Sequence, residues 1–96
     1  MLFIMTDDDK VELLPQPWKA LAACESSLDP EALNPSGKYR GLFQFDYRSW
    51  GYVGGSGDPS RASVKEQLKR AKLLQEKQGW SAWPVCSKRL GLKNEQ

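Results

Sequence analysis

Apolar residues recur at helical spacing in two stretches of the chain. In the first, Trp18, Leu21 and Ala22 fall on one face when residues are placed about 100° apart around a helix axis. Pro17 precedes them, and proline suits the first turn of a helix because the backbone N–H that it lacks has no helical partner there. The pattern predicts a helix over about residues 17–26.

The second helical stretch is longer and carries signals at both ends. Ser63 and Glu66 form a capping-box pattern, in which each side chain satisfies a backbone N–H at the start of a helix. Gly79 suits the end, because glycine adopts a left-handed conformation without steric cost. The apolar residues between them follow helical spacing: Val64, Leu68, Ala71 and Leu74 or Gln75. We predict a long helix that ends at Gly79.

The rest of the chain shows weaker patterns. Residues 27–60 are rich in Gly, Pro, Asn and Asp and are predicted as loop and short elements, with apolar islands at residues 41–45 and 47–50. Residues 1–15 are expected to be an extension, in which residues 6–10 resemble a protease-tag remnant or a natural turn. The five apolar residues before them lack a signal-peptide pattern and are too short to span a membrane. We expect one domain over residues 16–92 and a tail at 93–96.

Composition limits the classes of function. The 96 residues support one small domain, and a hydrophobic content of 40% supplies a core. A formal charge of +2 argues against a nucleic-acid binder, and the basic cluster on the second helix is best explained as a solvated face: Lys65, Lys69, Arg70 and Lys72. The chain has no histidine, which excludes the usual His/Cys zinc sites and Ser-His or Cys-His nucleophile pairs. We expect no metal and no cofactor.

The two cysteines, Cys24 and Cys86, leave two alternatives open, free core thiols or one disulfide. A bridge would close a loop of about 60 residues, which the chain-entropy account values at about 4 kcal/mol. We favour the bridge, because few other features of so small a domain contribute as much. It would imply an oxidising, extracytoplasmic setting.

Glu25 falls within the apolar stripe of the first predicted helix, seven residues after Trp18. Burying a carboxylate is costly unless it is paired or neutral. Desolvation therefore raises the pKa, as a general acid at neutral pH requires. The alternative is a glutamate in the last helical turn that points into solvent.

The residues that follow Glu25 suit a sugar. Gly41 lets the chain turn sharply and approach a ligand closely. The amide of Gln44 can hydrogen-bond hydroxyl and acetamido groups. Tyr39 and Trp50 offer flat rings that stack on pyranoses, although a buried Trp is more often a core residue. Together these features predict a glycan cleft beside Glu25.

A set of short motifs extends this interpretation. They are Cys24-Glu25-Ser26, the segment with Tyr39, Gly41 and Gln44-Phe45, Ser49-Trp50, Ala62-Ser63, Gln67, Ala71 and the tail Gln78-Gly-Trp-Ser-Ala-Trp-Pro-Val-Cys86. The set resembles the catalytic domain of resuscitation-promoting factors over about residues 17–92, and the tail is its most specific part. The segment from Glu25 to Gln44 is also similar to soluble lytic transglycosylases and goose-type lysozymes.

The resemblance implies a compact, mainly helical, lysozyme-like α+β fold with little or no sheet. It implies a disulfide between Cys24 and Cys86 that ties the first helix to the C-terminal segment, and Glu25 as the catalytic acid. It also implies a set of substrate contacts: Tyr39, Gln44, Asp46, Ser49, Trp50 and Gln78.

The sequence departs from the family pattern in two places. Ser27-Leu28-Asp29-Pro30 replaces a usual Gly-Gly-Asn-Trp, and Arg40 and Leu42 stand where an aromatic residue and a glycine are common. These departures bear on the shape of the central subsites rather than on the catalytic position.

The activity implied is cleavage of the MurNAc–GlcNAc β-1,4 bond of peptidoglycan, by a lytic transglycosylase or a muramidase. Most glycosidases use two carboxylates, and Asp29, Glu31 and Asp46 are the candidates for a second. The expected mechanism uses Glu25 alone, assisted by the substrate's N-acetyl group or 6-hydroxyl, with Asp46 as electrostatic support.

A noncatalytic glycan-binding or wall-signalling module is the alternative. We expect a monomer at the bacterial cell wall, either secreted or a phage lysis or virion enzyme, although no export signal is visible. Its expected partners are glycan strands and other wall hydrolases, with no nucleic acid and no membrane.

Overall fold

The computed structural model describes residues 9–94. Its α-helices are α1 (Trp18–Ser26), α2 (Tyr47–Tyr52), α3 (Val64–Gln78) and α4 (Pro84–Arg89), and 3-10 turns lie at Val11–Leu13, Pro59–Arg61 and Trp80–Ala82. Strand pairing within the described residues is limited to isolated bridges, which join Leu33 with Arg40 and Arg40 with Phe45. The mainly helical fold with little sheet is therefore confirmed.

The two ends of the chain are described only in part. Residues 1–8 of the predicted extension and residues 95–96 of the predicted tail lie outside the described residues. Leu14 is buried in the core, and the Val11–Leu13 turn before it packs against α1. Within residues 9–94, no helix is both long and apolar enough to cross a lipid bilayer.

Helix α1 lies close to the predicted bounds. Its buried residues are Trp18, Leu21 and Ala22, the apolar stripe of the sequence. The helix ends where Ser27 adopts a left-handed conformation with φ of 57°, so that its N–H donates to carbonyls of the preceding turn. This end leaves Glu25 in the last turn, at the edge of the core.

Helix α3 also follows its sequence signals. The Ser63 hydroxyl accepts a hydrogen bond from the Glu66 N–H at 3.1 Å, as the capping pattern predicts, and Gly79 with φ of 72° ends the helix. Its buried residues are Val64, Gln67, Ala71 and Leu74, whereas Leu68 is only half-buried. The polar Gln67 thus occupies a core position that the apolar pattern did not predict.

An aromatic cluster joins the N-terminal helix to the C-terminal segment. The Trp18 ring centroid lies 4.9 Å from that of Trp80 and 5.8 Å from those of Trp83 and Phe43. The Trp83 indole N–H donates to the Phe43 carbonyl at 3.0 Å. The cluster holds the C-terminal segment against α1 and against the turn at residues 41–45.

A disulfide completes this junction. Cys24 and Cys86 are bonded, with their Cα atoms 5.9 Å apart. The bridge predicted by the resemblance is therefore confirmed. It joins the last turn of α1 to α4, and it places the residues just before Cys86 beside Glu25.

Candidate functional site

Glu25 lies in the last turn of α1, directly after the bridged Cys24. Its side chain is half-buried, and burial raises the pKa of its carboxyl group above the ordinary value of 4.5. No hydrogen bond or ion pair from another residue within 9–94 opposes this effect. Glu25 therefore favours the protonated form more than an exposed glutamate does, which is the state of a general acid.

Glu25 opens onto a cleft with a volume of about 300 Å³. Its polar lining residues are Glu25, Tyr39 and Gln44. The remaining lining residues form a largely apolar side that comes from the C-terminal segment: Ala82, Trp83, Pro84 and Val85. A cleft lined by a carboxyl group, an amide and a phenol together with apolar groups suits a sugar, which has both hydroxyl groups and apolar ring faces.

A second hollow of about 180 Å³ continues the cleft past Gln44. It shares Tyr39 and Gln44 with the first and adds Asp46 and Ser49. Asp46 is the N-cap of α2, where its Oδ1 atom accepts a hydrogen bond from the Ser49 N–H at 2.8 Å. The structure thus brings Glu25 together with four of the predicted contact residues in one continuous groove.

The turn that carries Gln44 is held by α3. The Oε1 atom of buried Gln67 accepts a hydrogen bond from the Leu42 N–H at 2.7 Å, and its Nε2 atom donates to the carbonyls of Pro30 and Ala62. Gly41 has φ of 83°, and a Cβ atom there would collide with the Gln67 amide. Only glycine allows the turn to lie this close to α3.

Trp50 and Gln78 are not brought into the groove. The Trp50 ring is 2% exposed, packs against Phe45 and donates its indole N–H to the Ser56 carbonyl at 3.1 Å. Trp50 thus lies in the core, and its contact with substrate stays a prediction. Gln78 is exposed at the end of α3 and lines a separate hollow with Gly79.

The apolar side of the cleft was not predicted as substrate-contacting. Trp83, Pro84 and Val85 belong to the tail motif, but the sequence assigned them no contact with substrate. The cysteine positions indicated that Val85 lines the cleft. Val85 directly precedes Cys86, and a bridge from Cys86 to Cys24 places Val85 next to Glu25.

The other carboxylates considered as catalytic partners lie elsewhere. Asp29 and Glu31 form a local turn, in which the Asp29 carboxylate accepts a hydrogen bond from the Glu31 N–H at 2.9 Å. Neither residue lines the cleft, whereas Asp46 lines the adjoining hollow. In the part of the chain that the structure describes, no three His, Cys, Asp or Glu residues are grouped as metal ligands.

Most of the chain matches one known protein family. The family described as the transglycosylase-like domain matches residues 14–86, which include Glu25 and the whole groove. The chain belongs to the transglycosylase-like domain family. The match begins at Leu14 and ends at Cys86, so it contains both ends of the disulfide.

Relatives of this transglycosylase-like domain include several resuscitation-promoting factors. The chain is 51% identical over 75 residues to Rpf of Micrococcus luteus, covering 78% of this chain and 33% of that protein. It is 42% identical over 75 residues to RpfC of Mycobacterium tuberculosis, covering 78% of this chain and 53% of that protein. For Rpf2 of Corynebacterium glutamicum the identity is 42% over 79 residues, covering 79% and 21%. The chain thus spans from a fifth to about half of these relatives' lengths.

Proposed function

We propose that this domain cleaves the β-1,4 bond between MurNAc and GlcNAc in peptidoglycan, with Glu25 as its single general acid and base. The observation that carries the proposal is a half-buried carboxyl group with a raised pKa and no ionic partner among residues 9–94, facing a groove suited to sugars. Membership of the transglycosylase-like family supports the reaction class.

In the first step, protonated Glu25 gives its proton to the glycosidic oxygen as the bond from that oxygen to C1 breaks. The carboxylate then accepts a proton from the group that attacks C1. If that group is the substrate's own 6-hydroxyl, a C1–O6 bond forms and the product is an anhydro sugar; if it is water, the product is a reducing end. Glu25 is protonated again after either step, so one acid completes the cycle.

Asp46 is proposed as electrostatic support for the positive charge that develops at C1. Its Oδ1 atom is engaged in capping α2, and the carboxylate lines the hollow next to the Glu25 cleft. A negative charge held in place before the reaction stabilises a cationic transition state without further reorganisation. Asp46 is not required to form a covalent intermediate in this scheme.

The first experiment is digestion of purified peptidoglycan, with mass spectrometry of the soluble fragments. Anhydro ends identify a transglycosylase and reducing ends a muramidase. Glu25→Gln keeps the shape of the side chain but removes the transferable proton, so we expect activity to fall by about a hundredfold or more. Full activity of Glu25→Gln would exclude the proposed mechanism.

The same digestion tests a noncatalytic glycan-binding or wall-signalling module, which would release no fragments from peptidoglycan. The raised pKa of Glu25 favours the enzyme over this alternative, since a binding site has no need of a protonated carboxyl. We further propose that the domain acts at the bacterial cell wall as a monomer on glycan strands, alongside other wall hydrolases.

A further inference from the structure

Arg40 is the side chain through which the loop at residues 34–40 contacts a distant part of the chain. Its Nη1 atom donates to the Asp58 carboxylate at 2.7 Å, and its guanidinium group lies 5.3 Å from the Tyr47 ring centroid. Its Nε atom donates to the Gly37 carbonyl at 2.9 Å. The other side-chain hydrogen bonds described for this loop stay within residues 34–39.

Backbone pairing places Arg40 directly beside residues that line the groove. Arg40 and Phe45 exchange both backbone hydrogen bonds at 2.9 Å, so their side chains share one face of the small hairpin. Tyr39 and Gln44 line both hollows of the groove and Phe45 lines the second, whereas Arg40 lines neither. The contacts of Arg40 thus hold the chain immediately next to the residues proposed to bind sugar.

The anchor that Arg40 reaches is itself well held. Asp58 caps the Pro59–Arg61 turn, where its Oδ1 atom accepts hydrogen bonds from both the N–H and the hydroxyl of Ser60. The side chains of Arg40 and Asp58 are 22% and 25% exposed, so their ion pair is partly shielded from water. The charge-assisted bond to Asp58 and the Nε bond to the Gly37 carbonyl together fix the direction of the guanidinium group as well as its distance.

We propose that Arg40 is a positioning residue that holds the hairpin so that Tyr39 and Gln44 line the same groove as Glu25 and contact the substrate there. The inference rests on the proposed function, because it concerns how the same groove binds its glycan. Arg40 does not line the groove and takes no part in proton transfer. Its loss is therefore expected to weaken binding and to leave the chemical step intact.

Arg70 provides a matched control for a test of Arg40→Lys. Like Arg40, it donates from Nε and Nη1 to one carboxylate and one backbone carbonyl, here those of Glu66 and Val53. Its side chain is 19% exposed, close to the value for Arg40. Neither Arg70 nor its partners line the groove. Lysine keeps the charge at each position but cannot make both bonds in the same geometry.

The experiment compares wild type, Arg40→Lys and Arg70→Lys in melting temperature and in kinetics on soluble glycan fragments. We expect similar losses of melting temperature but a rise in KM of about tenfold for Arg40→Lys alone, with kcat and its pH profile unchanged. Dissociation constants in the Glu25→Gln background provide the same comparison without chemistry.

Three outcomes would overturn the assignment of Arg40. If KM and the dissociation constant of Arg40→Lys stay within twofold of wild type, Arg40 has only a structural role. If KM rises equally in Arg70→Lys, the effect comes from a general loosening of the fold. A loss confined to kcat would place Arg40 in the chemistry instead. If the wild type does not cleave the glycan, the proposed activity is wrong, but the dissociation constants still decide the role of Arg40. If the wild type does not bind the glycan either, both proposals are overturned.

Discussion

Two carboxyl groups show how residue environment separates a chemical role from a structural one. At Glu25, burial raises the pKa, and no interaction within residues 9–94 offsets it. At Asp58, burial acts in the same direction but is outweighed by the hydrogen bonds from Ser60 and the charge of Arg40, so the pKa is lowered. A group that keeps its proton can act as an acid, whereas an ionised group can only accept hydrogen bonds.

Replacing Glu25 with Gln should raise the free energy of unfolding at neutral pH. The folded-state pKa lies above the unfolded value, so folding is favoured below about pH 4.5 and this advantage is lost as pH rises through the folded pKa. Glutamine carries no charge to desolvate, so the variant should have a higher free energy of unfolding than wild type above that pH and an equal one below it. Chemical denaturation at pH 3 and pH 7 measures the difference.

The control for this measurement is Glu76→Gln, at an exposed position on α3. It removes a carboxylate of the same type without removing a buried one. If the free energy of unfolding changes equally in both variants at pH 7, the change comes from net charge and not from the burial of Glu25. No gain for Glu25→Gln at pH 7 would contradict the raised pKa.

Whether the sequence predicted the position of a residue depends on how far along the chain its contact partners lie. The position of Glu25 at the edge of the core was predictable because an acid within an apolar stripe is a local signal. The structural role of Gln67 was not, because its partners Leu42 and Pro30 lie 25 and 37 residues away. Trp50 was assigned to substrate by resemblance, yet its ring fills the core. Residue type alone does not distinguish these roles.

At the scale of elements, length decided what could be predicted. Helices α1 and α3 span 9 and 15 residues, enough for an apolar stripe to show its period. Helices α2 and α4 have six residues each, and their positions depend on contacts with distant segments. Helix α4 begins at Pro84 and is held by the disulfide, and its six residues are too few for an apolar period to predict it.

The contact between α3 and the turn at residues 41–45 leads to a second prediction. Replacing Gln67 with Met keeps the side-chain size but leaves the buried Leu42 N–H without its acceptor. We expect a loss of about 2 kcal/mol in the free energy of unfolding. Activity at temperatures where the variant remains folded should also fall, because this turn carries Gln44. Urea denaturation measures the first effect and peptidoglycan digestion the second.

Gln75→Met, on the same helix, is the control for Gln67→Met. The Gln75 side chain is half-buried and has no hydrogen bond described within residues 9–94. We therefore expect little change in stability at this position. If both variants lose the same free energy of unfolding, the loss comes from replacing an amide on α3 and not from breaking the hydrogen bond with Leu42.

At the scale of the whole molecule, the groove is assembled from separate parts of the chain. The acid comes from α1, Tyr39 and Gln44 from the hairpin, and the apolar side from the segment at residues 82–85. A domain of this size has a small core to hold such parts in register. The disulfide and the aromatic cluster both join the first part to the last, beside the groove itself. Stability and the geometry of the site are therefore coupled.

This coupling predicts the effect of removing the disulfide. The bridge spans 62 residues, so Cys24→Ala with Cys86→Ala should lower the free energy of unfolding by about 4 kcal/mol. Because the bridge joins the neighbours of Glu25 and Val85, activity should fall even at temperatures where circular dichroism shows the fold intact. Guanidinium denaturation and peptidoglycan digestion, each with and without a reductant, measure the two effects. Reductant should bring wild type to the level of the variant and leave the variant unchanged. Full activity of the folded variant would show that the aromatic cluster alone keeps the groove in shape.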